Sequence, residues 1–199
     1  ASNESFANNT SDYSGGDIAA FTRFDLNFSD SSFIRGTAAY GHGGSIYLDG
    51  SGPFTLDGGT IDSSEAFYSG GGIYALGLNE LVTITDSEFT DCDSVYGSGG
   101  ALYLEENSDL AMSDSLVASN TAYYSGGGIY AYNQVDIDLL ETNLDGNDAL
   151  FGSGGGLSAD AYLGVNNDLH VQECVFTQNN AMYNGGGISV INMDHIVVS

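Results

Sequence analysis

Tyr124-Ser125-Gly126-Gly127-Gly128-Ile129-Tyr130 is one copy of a motif that returns along the whole chain. The other copies read YSGGDI (13–18), YGHGGSIY (40–47), YSGGGIY (68–74), YGSGGALY (96–103), FGSGGGL (151–157) and YNGGGI (183–188). Their apolar residues are Ile18, Ile46, Ile73, Leu102, Ile129, Leu157 and Ile188, at spacings of 28, 27, 29, 27, 28 and 31. A second anchor precedes each copy: Phe6, Phe33, Ile61, Phe89, Val117, Leu144 and Phe176. Seven units with so little drift define a period, and a period of this length marks a repeat architecture.

Alignment of the units exposes further columns. Seven residues after each anchor stands an aromatic, from Tyr13 through Tyr40, Tyr68, Tyr96, Tyr124 and Phe151 to Tyr183; it neighbours apolar positions and is expected to pack at a corner. Three after the anchor asparagine is favoured (Asn9, Asn120, Asn147, Asn179), with Gly36, Ser64 and Cys92 in its place elsewhere. Before the anchor the text alternates apolar and polar, as in Phe54–Leu56, Val82–Ile84 and Ile137–Leu139, the signature of a strand with one buried face. After the glycines the alternation returns with tyrosine as the outer member. Each unit therefore holds about three short strands and no helix-length amphipathic stretch. A unit of this size cannot bury its own apolar face, whereas stacked copies can, with each column becoming a ladder at the ~4.8 Å spacing of neighbouring strands. The expected fold is all-β: a parallel β-helix of about seven coils, with residues 1–199 as one repeat domain.

The chain has 27 acidic residues against two basic ones, Arg23 and Arg35, and a formal charge of -25. A nucleic-acid groove needs clustered Lys and Arg, so DNA and RNA are excluded as partners. Attraction to an anionic membrane fails for the same reason, and no apolar run is long enough to span a bilayer. Self-repulsion on this scale calls for surrounding cations.

The two signatures, Gly99-Gly100-Ala101-Leu102 with Gly127-Gly128-Ile129, and Phe6–Asn9 with Phe176–Asn179, resemble the repeats of the chlamydial polymorphic outer membrane proteins. More broadly they resemble the β-helical passenger domains of autotransporter adhesins. The resemblance covers the whole chain. It implies a right-handed helix, secretion to the exterior or cell surface, and a structural or adhesive role. Four of the seven units keep the asparagine, and the acidity exceeds what the repeat requires. The last repeat stops short of its anchor, so the sequence is expected to be a segment of a longer chain or a subunit that stacks end to end with itself. Surface glycans or host proteins are the other expected partners.

Candidate sites follow from the columns. Three residues before the anchor stand Asp30, Asp86, Asp114, Glu141 and Glu173, with Gly58 as the exception. Stacked carboxylates repel, and calcium, which takes several hard oxygen ligands, would relieve them, so this is the candidate calcium ladder. Otherwise it is a solvated turn column. Tyr47, Tyr74, Tyr103 and Tyr130 face outward, either as a surface that binds sugars or a partner or as packed strand residues. Asn3, Asn8, Asn9 and Asn27 fit the N-glycosylation pattern. No cofactor is required by any motif.

The chemistry of an enzyme is harder to place. Gly41-His42-Gly43 matches a triplet of β-helical polysaccharide hydrolases, but it sits inside the glycine turn, which makes His42 a turn residue. His170 and His195 read as solvated. Cys92 and Cys174 lie about three coils apart, on the order of 14 Å, too far for a disulfide, and read as buried thiols. A polysaccharide-active enzyme or carbohydrate-binding module is the alternative to the structural role; it would need long loops walling a groove, and the one insertion falls near Ala161–Asn166. A flat threonine ladder for ice binding breaks off after Thr55, Thr83 and Thr85.

Overall fold

The computed structural model describes residues 1–162 and 167–199. Among these, 28 strands form four parallel sheets of seven strands each. One coil runs through Ile73–Leu76, Val82–Thr85, Glu88–Thr90 and Asp93–Ser94, one strand for each sheet. The sheets are called first to fourth in that order. The fourth is the element the sequence did not disclose. Its strands are two residues long, too short to show alternation. The inward member is the small-residue column Ala38, Ala66, Ser94, Ala122 and Ala149, buried where two turns bring the backbone close to the core.

The register matches the sequence alignment residue by residue. Ile46, Ile73, Leu102 and Ile129 stand in one file in the first sheet. Phe54, Val82, Leu110 and Ile137 do so in the second, and Phe33, Ile61, Phe89 and Val117 in the third. These files form one continuous core. Like side chains pack on like: the rings of Phe6 and Phe33 stack with centroids 4.9 Å apart and planes 1° from parallel.

Of the four turns in a coil, the one between first and second sheets varies in length and carries left-handed residues such as Gly77, Asn79, Asn107 and Asn133, while the other three each keep a fixed left-handed column. The glycine turn uses the column of Gly99 (φ 68°) and Gly126 (φ 66°). Between second and third sheets the residues are Asp30, Gly58, Asp86, Asp114, Glu141 and Glu173. Between third and fourth they include Asn8, Arg35, Ser63, Asp91 and Ser119. Left-handed geometry costs a residue with a Cβ roughly 1–2 kcal/mol. A polar ladder lies beside each of these three turns and holds it in place. Asn120 Nδ2 donates to Asn147 Oδ1 (2.9 Å), and Asn147 Nδ2 to Asn179 Oδ1 (2.9 Å). The Ser87 backbone N–H donates to Ser115 Oγ, and the Ser125 N–H to Ser98 Oγ. At the glycine turn the coils also approach too closely for a side chain: a Cβ on Gly100 would lie 2.1 Å from the Gly127 carbonyl oxygen.

Asn147 is fully buried; its amide donates to the Val117 carbonyl (2.8 Å) and its Oδ1 accepts the Asn120 backbone N–H (3.1 Å). Asn147→Ala should therefore orphan two buried backbone groups and cost about 2–4 kcal/mol in a chemical-denaturation measurement. Asn147→Ser, the residue that Ser64 places in this column, should cost less.

Candidate functional surface

The acidic column lies on the outside, at the turn between second and third sheets. Asp30, Asp86, Asp114, Glu141 and Glu173 are all exposed. Asp86, Asp114 and Glu141, with Glu88, line an open groove of about 400 Å³. Among the described residues no group of three or more His, Cys, Asp or Glu converges as metal ligands would. The column is thus a row of turn carboxylates strung along the axis, and its left-handed backbone is a structural role the sequence did not reveal.

Tyr47, Tyr74, Tyr103 and Tyr130 stand on the outer face of the first sheet, as alternation predicts. They do not offer open ring faces. Tyr47 and Tyr74 stack at 5.4 Å and 7°, Tyr74 and Tyr103 at 4.8 Å and 10°, and Tyr103 and Tyr130 lie at 5.3 Å. Tyr74 is only 7% exposed. The phenols of Tyr47, Tyr74 and Tyr130 donate to Asp49, Glu105 and Asp160. Burial and these neighbouring carboxylates hold the Tyr74 and Tyr130 phenols well above the usual range. The stack resembles a packed, cross-coil brace more than a binding platform.

The other tyrosine column sits at a corner, as expected, but is much more exposed than packing there implies. Tyr13, Tyr40, Tyr68, Tyr96, Tyr124, Phe151 and Tyr183 are 44 to 76% exposed. The reason is local. The column follows the two-residue strand of the fourth sheet, where alternation lapses and two consecutive side chains sit at a corner. Phe67 and Tyr123 lie inward of their neighbours and the tyrosines outward. The rings interleave across coils at tilted angles: Phe67–Tyr96 at 5.0 Å and 54°, Tyr96–Tyr123 at 5.7 Å and 50°. The result is an aromatic ridge spanning all seven coils, about 29 Å at strand spacing.

Several single residues fall elsewhere. His42 is a turn residue and a ladder member: its Nδ1 accepts the Ser69 backbone N–H (3.3 Å), and its own N–H on the backbone donates to Ser14 Oγ. Its ring also packs between Tyr68 of the ridge (5.3 Å) and Tyr74 of the stack (4.5 Å). Neither His170 nor His195 is merely solvated; each Nδ1 pairs with a carboxylate one coil back, Asp138 at 2.7 Å and Asp168 at 2.9 Å. Both cysteines are free. Cys92 is buried, its thiol pushed up to about 12. Cys174 is only half-buried, because its sheet ends with the next strand, Val175–Thr177. Asn3, Asn8 and Asn27 are exposed, while Asn9 Nδ2 donates to Asp17 Oδ1 (2.8 Å). Asp17 was not singled out by sequence, although it occupies the inward Gly/Ala/Ser column. Its Oδ2 is buried without a partner and burial raises its pKa. Of the insertion, residues 163–166 lie outside the described residues; Tyr162 beside it bonds the Tyr132 hydroxyl.

Burial lowers the His42 pKa from its ordinary 6.5. The unfolded chain then binds the proton more readily than the folded one, so stability should fall as pH drops below about 6.5. His42→Ser keeps a ladder oxygen, as Ser69, Ser98 and Ser125 do. Melting temperatures of the two proteins, compared between pH 8 and pH 5, should show the variant gaining on the parent only at the acidic end.

A family model described as a right-handed β-helix region matches residues 22–199. No curated protein and no solved structure gives a significant match. Seven stacked coils of parallel strands, in the register that the repeats demand, agree with that match over well more than half of the chain. The chain belongs to the right-handed β-helix family.

Proposed function

We propose that this β-helix is an extracellular, secreted module of a surface fibre, stalk or filament, with a structural and adhesive role. The observation that carries this reading is the aromatic ridge: an exposed aromatic ring at the same corner of every coil, standing in one file. Continuous exposed apolar surface on this scale marks an interaction site. Two further features support it. The turns between second, third and fourth sheets are about two residues long, which leaves the sheet faces as open surface. The charge of -25 keeps such a rod soluble where cations are plentiful. The repeat signatures resemble those of autotransporter adhesins, in keeping with display outside the cell. Calcium along the turn carboxylates belongs to the same proposal, as a bound or screening ion.

One observation favours a second reading, a polysaccharide-active or carbohydrate-binding module: the groove lined by Asp86, Glu88, Asp114 and Glu141. Pairs of carboxylates are what glycoside hydrolysis employs. Release of reducing sugar from a neutral glucan by the parent chain, abolished in Asp114→Asn, would favour that reading.

Electron microscopy of native material, with antibody against the described coils, tests the main proposal. Label on rods or fibres outside the cell envelope is the expected result. Label confined to the cell interior would sink it.

A further inference from the structure

We infer that the aromatic ridge is a docking surface for a basic polypeptide segment, one that presents Arg and Lys side chains. The inference deepens the adhesive reading by naming the partner's chemistry, and it rests on that reading only for where the partner is met.

Three observations lead to it. First, the ridge rings keep usable faces. Tyr96 is tilted by 50° and 54° against its neighbours rather than stacked, and Tyr68, Tyr96 and Tyr124 are 44, 52 and 51% exposed. The parallel tyrosines of the first sheet have spent their faces on one another.

Second, carboxylates stand on the strands that lead into these rings. The outward residues of the fourth sheet stand in one file, Glu65, Asp93, Thr121 and Asp148. Their two-residue strands run straight into the ridge corner, with Tyr68, Tyr96 and Tyr124 three residues after Glu65, Asp93 and Thr121. A cation over a tyrosine face, with a carboxylate beside it, gains both the ring quadrupole and a charge-assisted hydrogen bond.

Third, the charge of the chain sets the sign of the partner. With 27 acidic residues against two arginines, polyanions are repelled. A second copy brings the same excess of negative charge and only two cations of its own. A neutral glycan could stack on the rings but would leave those carboxylates without a charged partner. A basic polypeptide satisfies both.

The test is fluorescence anisotropy with a labelled peptide of alternating arginine and glycine, titrated with the purified chain at physiological ionic strength. Two charge-matched triple variants separate a site from bulk attraction, since each removes three negative charges: Glu65→Gln/Asp93→Asn/Asp148→Asn beside the ridge, and Asp86→Asn/Asp114→Asn/Glu141→Gln at the distant turn. We expect the first to weaken binding about tenfold and the second by about twofold or less. Tyr68→Ala/Tyr96→Ala/Tyr124→Ala, on exposed rings, should also lose about tenfold with its circular dichroism unchanged. Equal losses in the two charge variants would overturn the proposal by reducing it to nonspecific attraction. So would a parent chain that ignores the peptide and binds a neutral oligosaccharide through the ridge. Failure here with envelope labelling intact would leave the surface-rod reading standing. Labelling only inside the cell would remove that reading while the peptide result stood by itself.

Discussion

In-register parallel stacking obliges each side chain to sit on its counterpart in the next coil, about 4.8 Å away. Everything else in this molecule is a consequence of which residues tolerate that neighbour. Phenylalanine does, ring on ring, as Phe6 and Phe33 show. Asparagine does, because its amide both donates and accepts, and so the file from Asn120 to Asn179 closes on itself. Serine does through a hydroxyl that accepts the N–H of an adjoining coil. Glycine is required where two backbones come within van der Waals distance, as at Gly100 and Gly127. Carboxylates repel such a neighbour, and apart from Asp17 in its inward column the stacked ones stand at exposed turns and outer faces.

The shortage of cations makes the handling of those carboxylates distinctive. Among the described residues, His170–Asp138 and His195–Asp168 are hydrogen-bonded pairs of a histidine and a carboxylate. Elsewhere neutral donors stand in for absent lysines. Thr85, Thr90 and Thr177 each donate a hydroxyl to an aspartate one coil back: Asp57, Asp62 and Asp145. The backbone N–H groups of Asp136 and Asp168 do the same for Asp109 and Asp136. Such bonds hold each carboxylate in place without neutralising it. The surface remains anionic while its side chains are ordered, a condition suited to recognising positive charge.

The same constraint explains what could be read from the sequence. A ladder is a column in an alignment, so the core files, the asparagine file and the in-register pairing were all legible from spacing alone. So was the outward direction of Tyr47 to Tyr130, because strand alternation sets it. Alternation fails at corners, and there the reading stopped short. Phe67 and Tyr68 are consecutive and both lie outside the core, so proximity to apolar neighbours placed the column at a corner but did not show how exposed it stands. The two-residue fourth strand was too short to announce itself. Asp17 was visible as the odd member of a Gly/Ala/Ser column, but column membership carries no information about its orphaned oxygen.

The two tyrosine rows show why residue type alone could not tell a braced row from an exposed one. One row runs through four coils and the other through all seven, and both face away from the core. Aromatic faces are a finite resource: a ring stacked in parallel on both sides has none to offer a ligand, while a tilted ring on an exposed corner retains one. Tyr74, held between Tyr47 and Tyr103, is of the first kind, and Tyr96 of the second. The first row braces coil to coil, and its phenols are engaged by Asp49, Glu105 and Asp160. The second leaves its rings exposed at the corner that follows the file of Glu65, Asp93 and Asp148. His42 touches both rows, through Tyr68 and Tyr74. The brace and the ridge therefore meet at one ring, and the exposed ridge rests on the packing that closes the coil beneath it.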